Sequence, residues 1–116
     1  AFNINNGDLF RWSEMWPRIA RYFDLEVAPP LPLSLETVMA DKAPLWQNMI
    51  ARHALADTPY RDVSSWRFAD FVFSWDYDMF GDGAKARRFG FHDYVETEAM
   101  FYRIFDDLRQ RKIIPG

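Results

Sequence analysis

The stretch E-T-E-A-M-F-Y-R-I-F-D-D-L-R-Q-R-K, Glu96 to Lys112, decides the fold class of this chain. Met100, Phe101, Ile104, Phe105 and Leu108 fall on one face at helical spacing, so the segment predicts an amphipathic helix. Glu96 and Glu98 stand at the end where the helix dipole favours acids, and Arg109, Arg111 and Lys112 at the end where it favours bases. Pro115 ends regular structure.

Working outward, the same reasoning yields further helices. Trp16, Ile19, Ala20 and Phe23 recur at i, i+3, i+4 and i+7, with Ser13 as the expected N-cap, Pro17 in or near the first turn and Asp24 as the stop. Pro29, Pro30 and Pro32 make Glu26 to Ser34 an extended linker. A short helix is expected over Leu35 to Ala40, then a cap at Asp41 and a longer helix to about Ala54 whose Trp46, Met49, Ile50 and His53 share a face. Ser65 to about Ser74 predicts a helix apolar on nearly all sides, which requires cover on all sides. Asp76 to Gly83 reads as a loop, and Ala84 to Phe89 as a helical turn stopped by Gly90. Ala1 to Ile4 alternates as a short strand would, and Asn5-Asn6-Gly7-Asp8 is turn-prone. The fold class is therefore mainly α, a small helical lobe with one or two short strands, forming one domain over residues 1–116 and lacking the alternating units of a Rossmann sheet.

Composition bounds the function. The 116 residues carry a net charge of -3 and no cysteine, so nucleic acid is not an expected partner and thiolate chemistry is absent. A reducing, cytoplasmic setting is expected. No run approaches the roughly 18 to 20 apolar residues of a membrane span. The chain opens on Ala1 rather than Met and reads as a piece of a longer polypeptide. Aromatic residues make up 18%, with 11 Phe, 5 Trp and 5 Tyr, more ring surface than a body of this size easily hides, so some of it is expected to face a partner.

No constellation in the chain carries catalysis. Asp76-Tyr77-Asp78-Met79-Phe80-Gly81 begins like a calcium loop but places Phe80 and Arg87 where oxygen ligands are needed. His53 and His92 belong to no ligand pattern, so no metal site is expected. The five glycines form neither a dinucleotide nor a triphosphate loop, and no tyrosine is followed four residues on by lysine. Lys85, Arg87 and Arg88 form a basic cluster that suits either a phosphate, an acidic partner surface or plain solvent.

Three segments in order carry a resemblance: F-N-I-N-N-G-D-L-F-R-W, Phe2 to Trp12; W-R-F-A-D, Trp66 to Asp70; and K-A-R-R-F-G-F, Lys85 to Phe91, with K-I-I-P at Lys112 to Pro115. Together they resemble the C-terminal part of extended, atypical short-chain dehydrogenases/reductases of the progesterone 5-beta-reductase and iridoid synthase type, often labelled NAD-dependent epimerase/dehydratase-like. The resemblance implies a C-terminal substrate-binding lobe. An N-terminal Rossmann domain absent from this chain would bind NADPH and carry the catalytic Tyr and Lys, and this lobe would bind no cofactor itself. It further implies a small apolar carbonyl substrate, an enone or enal, met by Phe68 at the pocket-lining position with Trp66 beside it. The plain alternative for Phe68 is core packing. This chain departs from the family's W-W-F form at Arg67 and in a longer Asp76 to Gly83 loop. The isolated lobe would expose an aromatic patch and form a homo-oligomer. The competing reading is an independent helical module that uses its aromatic face to bind a protein.

Overall fold

Helices account for every regular element. A computed structural model describes residues 1–116. It contains α1 (Trp12–Tyr22), α2 (Leu35–Met39), α3 (Ala43–His53), a 3-10 turn (Tyr60–Asp62), α4 (Trp66–Phe73), α5 (Ala84–Arg88) and α6 (Thr97–Gln110). The helices expected from periodicity are thus present, and none is long and apolar enough to cross a membrane. The strand expected over Ala1 to Ile4 does not form; the extended pairing reduces to one parallel bridge, Gly7 to Val95, with the Val95 amide donating to the Asn6 carbonyl at 2.8 Å. Side-chain amides act instead of backbone pairing. Asn3 Nδ2 donates to the Asp82 carbonyl at 3.3 Å and Asn5 Nδ2 to the Gly81 carbonyl at 3.0 Å, which ties the Asp76 to Gly83 loop to the N-terminal segment.

The chain divides into two compact units, one of Ala1–Ala28 with Tyr77–Ile104, the other of Pro29–Asp76 with Phe105–Gly116. In the first, Met15, Ala20 and Ala86 are buried, and Thr97 is the one buried polar residue. Thr97 opens α6 under a carboxylate from far away. Its amide donates to Asp8 Oδ2 and its hydroxyl to Asp8 Oδ1, both at 2.7 Å, while the hydroxyl accepts from Asn6 Nδ2 at 3.0 Å. Helix α1 packs on α6 through Tyr22 and Tyr102, whose rings are 5.1 Å apart, and through Arg18 and Glu98, paired at 2.9 Å.

The ends of the helices test the sequence reading closely. Helix α1 starts at Trp12 from an extended Arg11, so Ser13 is inside the first turn and does not cap it, and Pro17 lies deeper in the helix than expected. The missing Pro17 donor leaves the helix one bond short but does not end it. Asp24 does end it, in the left-handed region at φ 54, with the Leu25 amide reaching back to the Ala20 carbonyl at 2.9 Å. Gly90 closes α5 in the same way at φ +94, with Phe91 N–H on the Ala86 carbonyl and Gly90 N–H on Arg87, both at 3.1 Å. Asp41 does not cap α3; Lys42 occupies that position and Asp41 pairs with its ammonium instead.

In the second unit, Leu55 is buried below the end of α3. Trp46, Met49 and Ile50 are half-buried as the periodicity requires, and His53 is exposed. Trp46 Nε1 donates to the Thr58 carbonyl at 2.7 Å and the Tyr60 hydroxyl to the Met39 carbonyl at 2.6 Å, so the loop after α3 is held by ring donors.

Two glycines separate strain from packing. Gly7 has φ +92, and a Cβ there would meet the Tyr94 ring at 3.0 Å, whereas nothing lies within 4 Å of one at Gly90. Gly7→Ala is expected to lower stability by about 1 to 3 kcal/mol, and Gly90→Ala by less, as read from urea midpoints. Equal losses would show that Tyr94 yields freely.

Candidate functional site

The W-R-F-A-D segment builds a helix with two unlike sides. A residue turns 100° around a helix axis, so Trp66, Ala69 and Asp70, spaced i, i+3 and i+4, share one side. Phe68, Phe71 and Trp75 recur at i, i+3 and i+7 and share the other. Up to Phe71 the structure keeps the distinction: Trp66, Ala69 and Asp70 are half-buried, while Phe68 and Phe71 are 63% and 58% exposed; Phe73, the last residue of the helix, is exposed although it falls on the Asp70 side. Phe68 and Phe71 have centroids 6.3 Å apart, and Phe71 meets Trp75 edge-on at 5.3 Å, giving a continuous row of rings. The cover expected on all sides of this helix is therefore absent from the Phe68 and Phe71 side, because α2, which packs against α4, is a five-residue helix.

Trp66 and Phe68, singled out together from the sequence, are not brought together by this geometry. Trp66 packs against Tyr60, centroid to centroid 6.2 Å, on the side away from the ring row. Phe71, which the motif does not include, is the ring neighbour of Phe68, and Trp75, just past the end of α4, is that of Phe71; the i, i+3, i+7 spacing of aromatics is the signal that locates them.

The half-buried side is polar at one point. Asp70 Oδ1 accepts from the Leu35 amide at 2.6 Å, and Oδ2 accepts from the Glu36 amide at 3.1 Å and the Ser34 hydroxyl at 3.0 Å. Ser34 Oγ in turn accepts from the Thr37 amide at 3.2 Å. The first amides of α2 are thus satisfied by α4 and by the N-cap together.

No group of His, Cys, Asp and Glu is placed to hold a metal ion. The acids of the calcium-like loop act locally: Asp78 pairs with Arg11 at 3.4 Å, and Asp82 Oδ1 accepts from the Ala84 amide at 2.8 Å. Lys85 of the basic cluster donates to the Ala1 carbonyl at 3.0 Å and lies 5.0 Å from the Phe2 ring centroid. Carboxylates of the chain itself, Asp70, Asp82 and Asp8, accept from the amides at the starts of α2, α5 and α6. The cavity lined by Asn3, Asn5, Arg87 and Phe91 measures about 10 Å³, room for a single water at most.

The amides of Glu36, first, and Leu35 hold the Asp70 carboxyl below its ordinary value of 3.8. A lowered folded value means that the cap stabilises fully above 3.8, and that this contribution fades as the pH falls from there through the folded value. The NMR shifts of the Leu35 and Glu36 amides are expected to stay constant from neutral pH down to that range and to move only below it. Asp70→Asn should abolish the step, and a midpoint above 3.8 would contradict the cap.

No protein-family model matches the chain. Among curated proteins it is similar to an (S)-8-oxocitronellyl enol synthase of Antirrhinum majus, 36% identical over 118 residues that cover 99% of this chain and 30% of that protein. An enol synthase of Camptotheca acuminata is 32% identical with the same shares. An uncharacterised protein of Schizosaccharomyces pombe is 29% identical over 154 residues, 98% of this chain and 38% of its own. The chain spans about a third of the length of the curated relatives it matches. By sequence it is a homologue, along essentially its whole length, of the iridoid-synthase-like enol synthases related to progesterone 5-beta-reductase.

Proposed function

We propose that this chain is the substrate-binding lobe of an NADPH-dependent short-chain reductase acting on activated carbon-carbon double bonds of enals or enones, silent in catalysis by itself. The observation that carries the reading is a conjunction. The enol synthases match nearly all of this chain with less than a third of themselves, and α4 presents an uncovered row of rings within the matched segment. Cofactor, hydride and proton donor then belong to the remaining polypeptide, a Rossmann domain, whose phosphate loop this chain does not contain. The lobe supplies an apolar wall that excludes water and orients a small carbonyl compound. Phe68 is the centre of that wall, Phe71 extends it, and Trp66 backs it from the side of Tyr60. The whole protein works in the cytoplasm, and the lobe alone self-associates through its open apolar faces.

The surface area supports a missing cover. A free-standing domain of this length exposes about 6,600 Å², and two separate domains of half the length about 8,000 Å² together. This chain exposes 9545 Å². Either excess is larger than the roughly 800 Å² that one partner buries in a standard interface. The same area also suits an independent protein-binding module; cofactor and substrate experiments on the chain joined to the rest of its reductase separate the two.

Two measurements test the wall. Met15, 2% exposed, should lose about 2 to 4 kcal/mol as Met15→Ala, while Phe68→Ala should change stability by under about 1 kcal/mol. A loss of several kcal/mol at Phe68 would return it to the core. In sedimentation, the 116-residue chain is expected to form dimers or larger species that Phe68→Ala and Phe71→Ala weaken, with no saturable response to NADPH. Tight stoichiometric NADPH binding by the chain would overturn the assignment.

A further inference from the structure

We propose that Asp70 is the positioning residue of the apolar wall. By holding the start of α2, it sets the rotation of α4 about its own axis and so determines which way Phe68 and Phe71 point. A helix packed on a single short neighbour is poorly restrained in rotation by apolar contact alone, because dispersion and burial are non-directional. Hydrogen bonds are directional, and they weaken steeply as the angle departs from linear. Asp70 makes its bonds to Leu35, Glu36 and Ser34 in a fan across both carboxylate oxygens, at 2.6, 3.1 and 3.0 Å. Turning α4 by one residue's worth, 100°, breaks all of them at once.

The side chains that flank the helix offer no substitute for this restraint. Ser65 makes no side-chain cap at the α4 start, and the Ser74 hydroxyl bonds back within the helix, to the Phe71 carbonyl at 2.9 Å. The ring of Trp66, one turn before Asp70 on the same side, packs on Tyr60 through ring contact, which is non-directional. Phe68 lies two residues before Asp70, 160° round the axis by helical geometry. A carboxylate anchored inward therefore commits Phe68 outward, with Phe71 and Trp75 in the same row. The spacing in W-R-F-A-D is then functional as a unit: the acid anchors and the second aromatic presents. The value of this orientation to a substrate rests on the wall reading given above; the orientation itself does not.

The absence of cysteine from the chain makes the test direct. Single-cysteine variants Phe68→Cys and Ala69→Cys report the outward and inward sides through their rates of thiol modification. With Asp70 present, the thiol at position 68 is expected to react faster than that at 69 by about an order of magnitude or more. Asp70→Asn keeps the shape but turns a donor toward one of the two amides, and it is expected to bring the ratio toward one while far-UV helicity is retained. Leu35→Pro is the second variant, for the case in which Asp70→Asn does not fold. It deletes the 2.6 Å donor at a helix position that accepts proline, after an extended Ser34 at ψ 115. A ratio that falls at unchanged helicity in either variant upholds the proposal. A ratio that stays at its native value in the folded variants overturns it. Phe68→Ala stability is read separately, so a failure of the wall reading is not mistaken for a failure of the anchor.

Discussion

Apolar ring surface in excess of what the chain can enclose is the constraint under which the rest of the structure is built. Eleven Phe, five Trp and five Tyr are distributed over short helices and the segments between them, yet the buried side chains are only Met15, Ala20, Leu55, Ala86 and Thr97. Not one aromatic residue is among them. The rings instead pair along the surface, as Phe2 with Phe89, Tyr22 with Tyr102 and Phe71 with Trp75. Edge and tilted contacts of this kind retain part of the gain of burial. The enol synthase relatives are about three times longer, which is where the missing enclosure belongs in the function proposed here.

With so thin a core, directional polar contacts carry an unusual share of the specification. Asp8 on Thr97 and Asp70 on Leu35 and Glu36 are the same device used in each unit: a carboxylate from a distant segment takes the free amides that begin a helix. Each contact satisfies groups that would otherwise lose water without compensation, and each ties together segments that apolar packing alone would hold loosely.

The site was only partly legible in the residues. The motif from Trp66 to Asp70 falls on a single helix, and Phe68 stands on its open side. Treating Trp66 as the companion of Phe68 overlooked the turn of the helix, which sets the two on opposite sides; Phe71 and Trp75 satisfy the spacing instead. Asp70 was quoted only as the motif's last letter, and its role depends on Ser34, Leu35 and Glu36, which local pattern reading assigns to a separate helix. Likewise Ser13 was the natural cap by type, yet α1 begins at Trp12 because Arg11 is already extended and its carbonyl accepts from Glu14 and Met15.

What the sequence by itself determined is the set of local outcomes: six α-helices where periodicity placed them, the stops at Asp24 and Gly90, the loop from Asp76 to Gly83, and the lack of any catalytic or cofactor motif. These depend on neighbours within a turn or two, so short-range energetics suffice. Only the tertiary structure decided which acid caps which helix and which side of α4 is left open. Those outcomes join residues 89 positions apart in one case and 34 in the other. Contacts at such separation are selected by the packing of the whole chain, and no pattern along it encodes them.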